Sequence, residues 1–258
     1  MAGHSKWAQI KRSKAVKDAK KGAAFARHSR EIMMAAKLGG GDPAGNFRLK
    51  TAIDHAKAIG MPNDNIARAI AKGSGNAEGG DQLEALVYEG YGPGGIAILL
   101  ECLTDNRNRT AGDVRSYFNK CNGNLGADGC VAWIFKEVGL IRVLKKNDAD
   151  EEAMFESAVE AGATDVEAED GEYVIQSAPS ELNQVASALT KKGIAIESAE
   201  NTRIPQNSVA LSDREHAKAL LKLLDLLESH DDVQAVYANF EIEDALLESI
   251  LQEKAAMP

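Results

Sequence analysis

The chain has 258 residues, 44% of them hydrophobic and 27% charged, with a formal net charge of -9; this balance is that of a folded globular protein and not of a disordered one. Single hydrophobic cores stop growing at about 250 to 300 residues, so the length predicts two or three domains. The apolar run at 96–100 is far shorter than the roughly 20 residues of a membrane span, and three widely spaced cysteines without a CxxC pair argue against a disulfide framework or a zinc site.

The first 30 residues form a strongly basic segment in this acidic chain. They hold nine Lys or Arg and one acidic residue, Asp18. Residues 1–75 carry fifteen basic and five acidic residues, a net charge of +10, so the rest of the chain carries fifteen basic and 34 acidic residues, a net charge of -19. A polyanion responds to local charge and not to the sum over the chain. The segment is therefore the first candidate for contact with nucleic acid.

A helical conformation of this segment would place Lys14, Lys17 and Lys21 on one face, where they could lie against phosphates. Trp7 offers a surface for stacking near the start of the chain. The alternative is a solubilising tail without a partner. The predicted contacts are Lys6, Trp7, Lys11, Arg12, Lys14, Lys17, Lys20, Lys21, Arg27 and Arg30.

The first domain is predicted to span residues 1–78 and to be helical, because Ala, Lys and Arg dominate its composition. One helix is predicted at 23–38, ended by three consecutive glycines, and an amphipathic helix at 46–59. Pro62 suits the first turn of a further helix. The Gly-rich residues 73–80 then predict a linker.

After the linker the pattern changes to alternating strands and helices. Strands at 85–91 and 96–103 are joined by a Gly-Pro-Gly-Gly turn, a helix is predicted to open at Thr110, and a strand follows at 131–136. The GYGPGG sequence satisfies GxGxxG literally. A strand and not a helix follows it, which favours a hairpin turn over a dinucleotide site.

Residues 137–204 predict a complete βαββαβ unit, a split βαβ sandwich of the ferredoxin-like kind, with its last strand at 194–198. The helix at 213–229 and the strand at 235–241 lack a sheet of their own. They would complete a second sandwich together with residues 79–136.

The predicted fold class is therefore α+β with three domains. The basic helical domain spans residues 1–78. A discontinuous α/β sandwich is formed by 79–136 and 205–248, and the βαββαβ domain, 137–204, is inserted in it.

Arg107 and Arg109 are a second basic candidate, because they stand just before the predicted helix start and a helix N-terminus itself attracts anions. Contact with nucleic acid is one interpretation. Capping of the helix and pairing with the acidic part of the chain is the other, and both stay open at this point.

No pattern in the sequence indicates catalysis or a metal site. None of the five histidines stands within helical reach of another or of a cysteine, and the P-loop, HExxH and GxSxG motifs do not occur. The acidic stretch at 148–172 is interpreted as a solvated surface. We expect no catalytic residue, no metal and no cofactor. The remote alternative is an enzyme whose cleft between the two sandwiches is lined by Asp105, Arg107 and Arg109.

Long stretches of the chain resemble the YebC family. They are MAGHSKWAQIKRSKAVKDAKKGAAFARHSREI (1–32), AAKLGGGDP (35–43), LKTAIDHAKAIGMPNDNIARAI (49–70), YEGYGPGGIAILLECLTDNRNRT (88–110) and GADGCVAWIF (126–135). The resemblance covers most of the chain. Asn63, where many relatives have Lys, and Cys130, which replaces a common Ser, are small departures.

This resemblance implies a three-domain α/β structure with a helical N-terminal domain. It also implies a role in gene expression, since bacterial members are described as probable DNA-binding transcriptional regulators and a mitochondrial relative as a translational activator. The family has also been placed on the ribosome as a translation factor.

Promoter DNA and ribosomal RNA are therefore the two candidate partners. If the partner is ribosomal RNA, the protein would bind the ribosome itself. A promoter-binding protein reads base edges in the major groove, usually as a dimer. The Lys-rich N-terminal segment instead suits phosphates, which favours shape-led binding of RNA. We expect a cytoplasmic, non-enzymatic protein that is a monomer or weak oligomer and has no membrane partner.

Overall fold

The structure, a computed structural model, describes residues 21–75, 83–145, 151–169 and 171–256. The chain forms two compact units. The inserted unit is Trp133–Asn207, and the main unit combines the residues up to Ala132 with those from Ser208 onward. Within the described ranges, no helix has the length and apolar character that a membrane span requires.

The helices and strands are numbered in chain order. The helices are α1 Lys21–Gly39, α2 Phe47–Ala58, α3 Asn63–Gly73, α4 Arg107–Lys120, α5 Glu151–Ala161, α6 Leu182–Lys191, α7 Arg214–Glu228 and α8 Asp244–Ala256. The strands are β1 Glu84–Tyr91, β2 Ala97–Thr104, β3 Asn124–Leu125, β4 Phe135–Leu144, β5 Asp165–Glu169, β6 Glu172–Ser177, β7 Ser198–Pro205, β8 Val209–Ala210, β9 Val233–Ala238 and β10 Phe240–Glu241.

Helices α1, α2 and α3 are the three predicted helices of the N-terminal domain, and they pack around a small apolar core. Asn46 fixes the junction of the first two. Its Oδ1 accepts the Leu49 N–H at 3.0 Å and caps α2, while its Nδ2 donates to the carbonyls of Ala35 and Gly40 at 2.8 Å each. The buried core includes Ile32, Ala35, Leu49, Ala52, Ala56 and Ile66.

The main unit contains a four-stranded sheet in the order β3-β1-β2-β9. β1 and β2 form the predicted hairpin, in which Glu84 stands opposite Thr104. Its turn holds Gly94 and Gly95 at φ angles of 73° and 76°, a left-handed conformation that glycine adopts without strain. The GYGPGG sequence therefore makes a hairpin turn and does not open a helix for a dinucleotide.

Helices α4 and α7 pack against this sheet. Strands β2 and β3 with α4 between them form a split βαβ, because β1 lies between the two strands. β9 pairs antiparallel with β2, so the chain rejoins the same sheet after the inserted unit. The shared core includes Ile98, Leu100, Val114, Phe118, Leu220 and Leu224. Helix α8 joins this core through Leu247 and Ile250 and has no counterpart among the predicted elements.

The strand predicted at 131–136 is wrong. Ala132–Ile134 is a single 3-10 turn, and the strand that follows it is β4 of the inserted unit. The cause is Glu89, whose buried carboxylate accepts the N–H groups of Gly129, Val131 and Ala132 at 2.7 Å each. Amides bonded to a side chain are not available to a strand ladder. The position beside β1 is occupied by β3 instead.

The inserted unit has the predicted βαββαβ sequence of elements and the strand order β5-β6-β4-β7. Helices α5 and α6 pack on the sheet over a core that includes Ile141 and Tyr173. Its last strand begins at Ser198 and not at 194, because the Ile194 N–H bonds back to the Leu189 carbonyl at 3.1 Å and continues the end of α6. The α+β class with two split βαβ sandwiches is confirmed, although the central strands of the main sheet are sequence neighbours.

Candidate nucleic-acid interface

The N-terminal candidates are mostly beyond what the structure describes. Lys21 lies in α1, but its side chain is among those not described. The candidates outside the described residues are Lys6, Trp7, Lys11, Arg12, Lys14, Lys17 and Lys20. Their role in nucleic-acid contact stays a prediction.

Arg27 and Arg30 lie one turn apart on α1 and both reach the C-terminal end of α7. The Arg27 Nη2 donates to the Glu228 carbonyl at 3.1 Å. The Arg30 Nη1 donates to the Asp231 carbonyl at 2.7 Å. Carbonyls at the end of a helix lack intrahelical donors, and arginine satisfies them well. Both candidates therefore have partners within the protein.

Asp232, which follows α7, lies at the centre of the contact between α1 and the C-terminal end of α7, called the junction below. Its side chain is 1% exposed, and the Arg30 Nη2 lies 3.0 Å from its Oδ1 as an ion pair. Its Oδ2 accepts from the Arg109 Nη2 at 2.9 Å and lies 2.7 Å from the Thr110 hydroxyl and 3.1 Å from the Thr104 hydroxyl. Two arginines from distant parts of the sequence thus meet at one carboxylate.

The pKa of Asp232 is lowered by this environment. Burial by itself raises the pKa of a carboxyl, but hydrogen bonds from Arg109 and Thr110, the charge of Arg30 and the Thr104 hydroxyl outweigh it. The Asp232 side chain is therefore charged at neutral pH. The ion pairs raise the pKa of Arg109 in turn, through its hydrogen bonds to Asp232 and then to Asp105.

Arg107 and Arg109 lie inside the first turn of α4 and do not precede it. The helix begins three residues before the predicted start because Asn106 is the N-cap, and its Oδ1 accepts the Arg109 N–H at 3.1 Å. Thr110 is buried within the helix beside Asp232. Arg109 is tied to Asp105 and Asp232. The exposed Arg107 guanidinium has no hydrogen bond or ion pair with the described part of the chain.

A cleft of about 400 Å³ opens beside this junction in the main unit. Its charged lining consists of Arg30, Asp105, Arg109, Asp231 and Asp232. Three carboxylates against two guanidinium groups leave no excess of positive charge. This cleft is therefore poorly suited to a phosphate.

Helix α2 carries exposed cations of a different kind, which were not among the predicted contacts. The side chains of Arg48, Lys50 and Lys57 are exposed and form no hydrogen bond or ion pair within the described ranges. Lys50 and Lys57, seven residues apart, share one flank of the helix, and Arg48 lies on the opposite flank, toward α1. The amphipathic pattern of this helix could have identified these cations from the sequence, because it directs Ile53 to the core and leaves them toward solvent. Lys50 and Lys57 also line a groove of about 460 Å³ between α2 and α3, together with Asp54.

Glu31 on α1 lies near the flank of α2 that carries Arg48. Its Oε2 is 3.3 Å from the His28 Nδ1. The pKa of Glu31 is lowered by the hydrogen bond to His28, against the opposing effect of burial, and further by the charges of His28, His55 and Arg48. The positive field of α2 therefore extends to α1.

Metal-binding and thiol chemistry find little support in the described residues. Among them, no three His, Cys, Asp or Glu side chains are grouped so as to hold a metal ion. Cys102 and Cys121 are buried and unpaired. Burial raises the pKa of the Cys102 thiol to about 12, with the charges of Asp232 and Glu101 adding to the effect, so this thiol is unreactive at neutral pH.

Known proteins are similar to this chain over almost its whole length. A probable transcriptional regulatory protein of Desulfitobacterium hafniense is 52% identical over 252 residues, which cover 97% of this chain and 100% of that protein. One of Geobacter sulfurreducens is 54% identical over 251 residues with the same coverage. A crystal structure of a conserved hypothetical protein from Aquifex aeolicus matches with a TM-score of 0.78 and 47% identity, over 88% of this chain and 93% of that one.

Family models agree with these relatives. Residues 5–76 match the TACO1/YebC protein N-terminal domain, and residues 83–240 match the TACO1/YebC second and third domain. The motifs that resemble the YebC family lie in both matched ranges. The chain belongs to the TACO1/YebC family.

Proposed function

We propose that this protein is a non-enzymatic regulator of gene expression that binds nucleic acid, with the helical domain of residues 1–78 contacting phosphates. The observation that carries the proposal is the set of exposed cations on two flanks of α2, where the side chains of Arg48, Lys50 and Lys57 form no hydrogen bond or ion pair in the described structure. The regulatory part is supported by the relatives, which are named probable transcriptional regulatory proteins.

Unpartnered cations are the ones that remain available to a ligand. Residues 21–75 hold nine Lys or Arg against four Asp or Glu, a net charge of +5. Each phosphate that a cation neutralises releases condensed counterions, so affinity falls with salt at a logarithmic slope of about -0.9 per phosphate on duplex DNA and about -0.7 on single strands. The salt dependence of the affinity therefore indicates how many phosphates the protein contacts.

Ribosomal RNA within the ribosome is the second candidate target, beside promoter DNA. Six of the nine basic residues among the first 30 are lysines. A lysine ammonium is a compact point charge that suits phosphates, whereas base edges are read best by the planar fork of arginine or by Asn and Gln. This composition favours recognition by shape and charge, as in folded RNA. The names of the relatives, probable transcriptional regulatory proteins, favour a target in transcription.

The test compares the wild type with R48Q/K50Q/K57Q and a control, K120Q/K136Q/K222Q. The three control lysines are exposed and lie outside the helical domain, so both variants lose the same charge. Binding to purified ribosomes, a structured fragment of ribosomal RNA and duplex DNA is measured over a range of salt concentrations. We expect the α2 variant to lose about two to three units of salt slope and about a hundredfold in affinity at 0.15 M salt. The control should keep the wild-type slope.

Each outcome bears on the proposal. Absence of salt-dependent binding to all three probes would overturn it. Equal losses in the two variants would show that net charge alone governs binding and would remove α2 from the interface. Preference for ribosomes or RNA supports the translational target, and preference for one DNA sequence supports the transcriptional one. Light scattering on the same samples tests the expected monomer or weak oligomer.

A further inference from the structure

The carboxylate of Asp232 joins segments that are far apart in the sequence. Asp232 lies between α7 and β9, and its side chain is almost wholly buried. Arg30 of α1 and Arg109 of α4 both contact it. The Asp232 carbonyl accepts the Leu103 N–H at 2.8 Å, so the residue is fixed to β2 through its backbone. Strand β2 of the main sheet therefore holds the residue that anchors α1.

Arg30 cannot serve a phosphate and this anchor together. Its side chain is 17% exposed, and both terminal nitrogens face partners, the Asp231 carbonyl at 2.7 Å and the Asp232 carboxylate at 3.0 Å. A phosphate that captured Arg30 would leave a buried carboxylate without one of its two cations, which is costly. The contact of Arg27 with the Glu228 carbonyl holds the same stretch of α1. These two arginines thus fasten α1 to the end of α7.

We propose that Asp232 is a positioning residue for nucleic-acid binding. It holds α1, and with it the basic helical domain, so that the cations of α2 and Arg107 at the start of α4 engage one nucleic acid together. Asp232 itself touches no phosphate. This inference rests on the proposed function and adds to it a residue that acts through the orientation of others.

The proposal predicts a change in affinity for nucleic acid opposite to the change that charge alone would cause. Removing a negative charge from a protein should strengthen its binding to a polyanion. Asp232→Asn removes one charge but also leaves Arg30 and Arg109 without the carboxylate that both contact. Asp231→Asn is the matched control, because it removes the same charge from the adjacent residue, whose side chain is exposed and which contacts Arg30 through its carbonyl.

We expect Asp231→Asn to bind RNA or DNA as tightly as the wild type or more tightly. Asp232→Asn should bind about tenfold more weakly at 0.15 M salt and lose about one unit of salt slope, the equivalent of one or two phosphate contacts. Hydrogen exchange should accelerate in α1 and in the segment between α7 and β9, and not in β6. A purely structural defect would instead accelerate hydrogen exchange throughout the chain. The molecules that remained folded would then bind with the wild-type salt slope.

Arg30→Lys provides a second test from the other side of the ion pair. It keeps the positive charge but loses the fork that reaches Asp231 and Asp232 at once. We expect weaker binding, by about threefold or more, with faster exchange in α1. If Asp232→Asn fails to fold, this variant decides the question.

Wild-type affinity and slope in Asp232→Asn, or in Arg30→Lys where the first variant does not fold, would overturn the positioning role and leave the proposed function intact. A wild type that binds none of the probes would instead remove the proposed function. The two failures are therefore distinguishable in one set of titrations.

Discussion

The helical domain carries two groups of cations that contact different things. On α2, Arg48, Lys50 and Lys57 face solvent and have no polar partner among the described residues. Where α1 meets the segment after α7, Arg30 is held by the buried Asp232 carboxylate and the Asp231 carbonyl. Each of these cations adds one unit to the net charge of +10 that residues 1–75 carry, whatever it contacts. The α2 group is available to a ligand, whereas the group at the junction stabilises the protein.

Burial explains this difference. An ionised group that leaves water needs a partner and hydrogen bonds to offset its desolvation, so the inward cations of α1 are matched with carbonyls and with Asp232. The outward cations of α2 stay hydrated and need none. Substitutions at the junction should therefore lower stability and act on binding only through the orientation of α1, whereas substitutions on α2 should change binding directly. The following predictions test that separation.

The largest effect is expected from Asp232→Ala. The change leaves Arg30, Arg109 and two threonine hydroxyls without their shared acceptor, and breaking a buried pair in this way costs about 3–5 kcal/mol of unfolding free energy. Urea denaturation followed by circular dichroism measures it. Asp231→Ala, which alters an exposed side chain, should stay within about 0.5 kcal/mol of the wild type. Similar losses in both variants would contradict the central role of Asp232.

Glu89→Ala should have the next largest effect. It removes the acceptor of the Gly129, Val131 and Ala132 amides, which lie 2.7 Å from the carboxylate. The buried Val131 donor left unsatisfied and the loss of charge-assisted bonds predict a loss of about 1.5–3 kcal/mol. Hydrogen exchange at these three amides reports the change directly. Glu84→Ala, at an exposed position of the same strand, is the control, and unchanged exchange in Glu89→Ala would show that another group holds the segment.

Arg107 and Arg109 repeat the comparison within one helical turn. Arg107→Gln should leave the unfolding free energy within about 0.5 kcal/mol and weaken nucleic-acid binding about fivefold at 0.15 M salt, the effect of one phosphate contact. Arg109→Gln should mainly lower stability, because it unties Asp105 and Asp232. Denaturation and salt titration of both variants check this. The reverse pattern would mean that Arg109 leaves its carboxylates to meet the ligand.

Local signals were sufficient for much of the fold. The period of apolar residues predicted α1, α2 and α3, and Gly-Pro-Gly-Gly predicted the β1-β2 hairpin, because each depends on neighbours in sequence. The strand expected at 131–136 failed for a non-local reason, since its amides bond to Glu89, about forty residues earlier. The start of α4 is set by its N-cap, Asn106. This cap is a local feature of the sequence, but the prediction placed the helix start at Thr110, another residue type that often caps helices.

The candidate site was less accessible to sequence than the fold. Basic composition identified the helical domain but did not separate exposed cations from partnered ones, because the partner of Arg30 lies about two hundred residues away. Asp232 stands in no recognisable motif, and its importance comes from tertiary contacts alone. The cations of α2 could have been found from the amphipathic pattern, which already directed them to solvent.

The smallest effect is expected at Glu31, which lies on α1 and interacts with Arg48 of α2. Its pKa is lowered first by the hydrogen bond to His28 and then by nearby charges that include Arg48. A carboxyl whose folded pKa lies below its unfolded value of about 4.3 stabilises the fold above that pH, and the contribution disappears as the pH falls through the folded pKa. Glu31→Gln should therefore cost about 0.2–0.5 kcal/mol at pH 7, the range of a solvent-screened i,i+3 pair.

Urea titrations at several pH values test this linkage. The difference between the wild type and Glu31→Gln should be present at pH 7 and shrink to nothing once the pH lies below the folded pKa of Glu31. A difference of the same size in strong acid would assign it to packing and not to charge. The same variant should bind nucleic acid slightly more tightly at pH 7, because it removes a carboxylate that interacts with Arg48. Opposite signs for stability and binding in one substitution would show that Glu31 stabilises α1 while it weakens the field that α2 presents to the ligand.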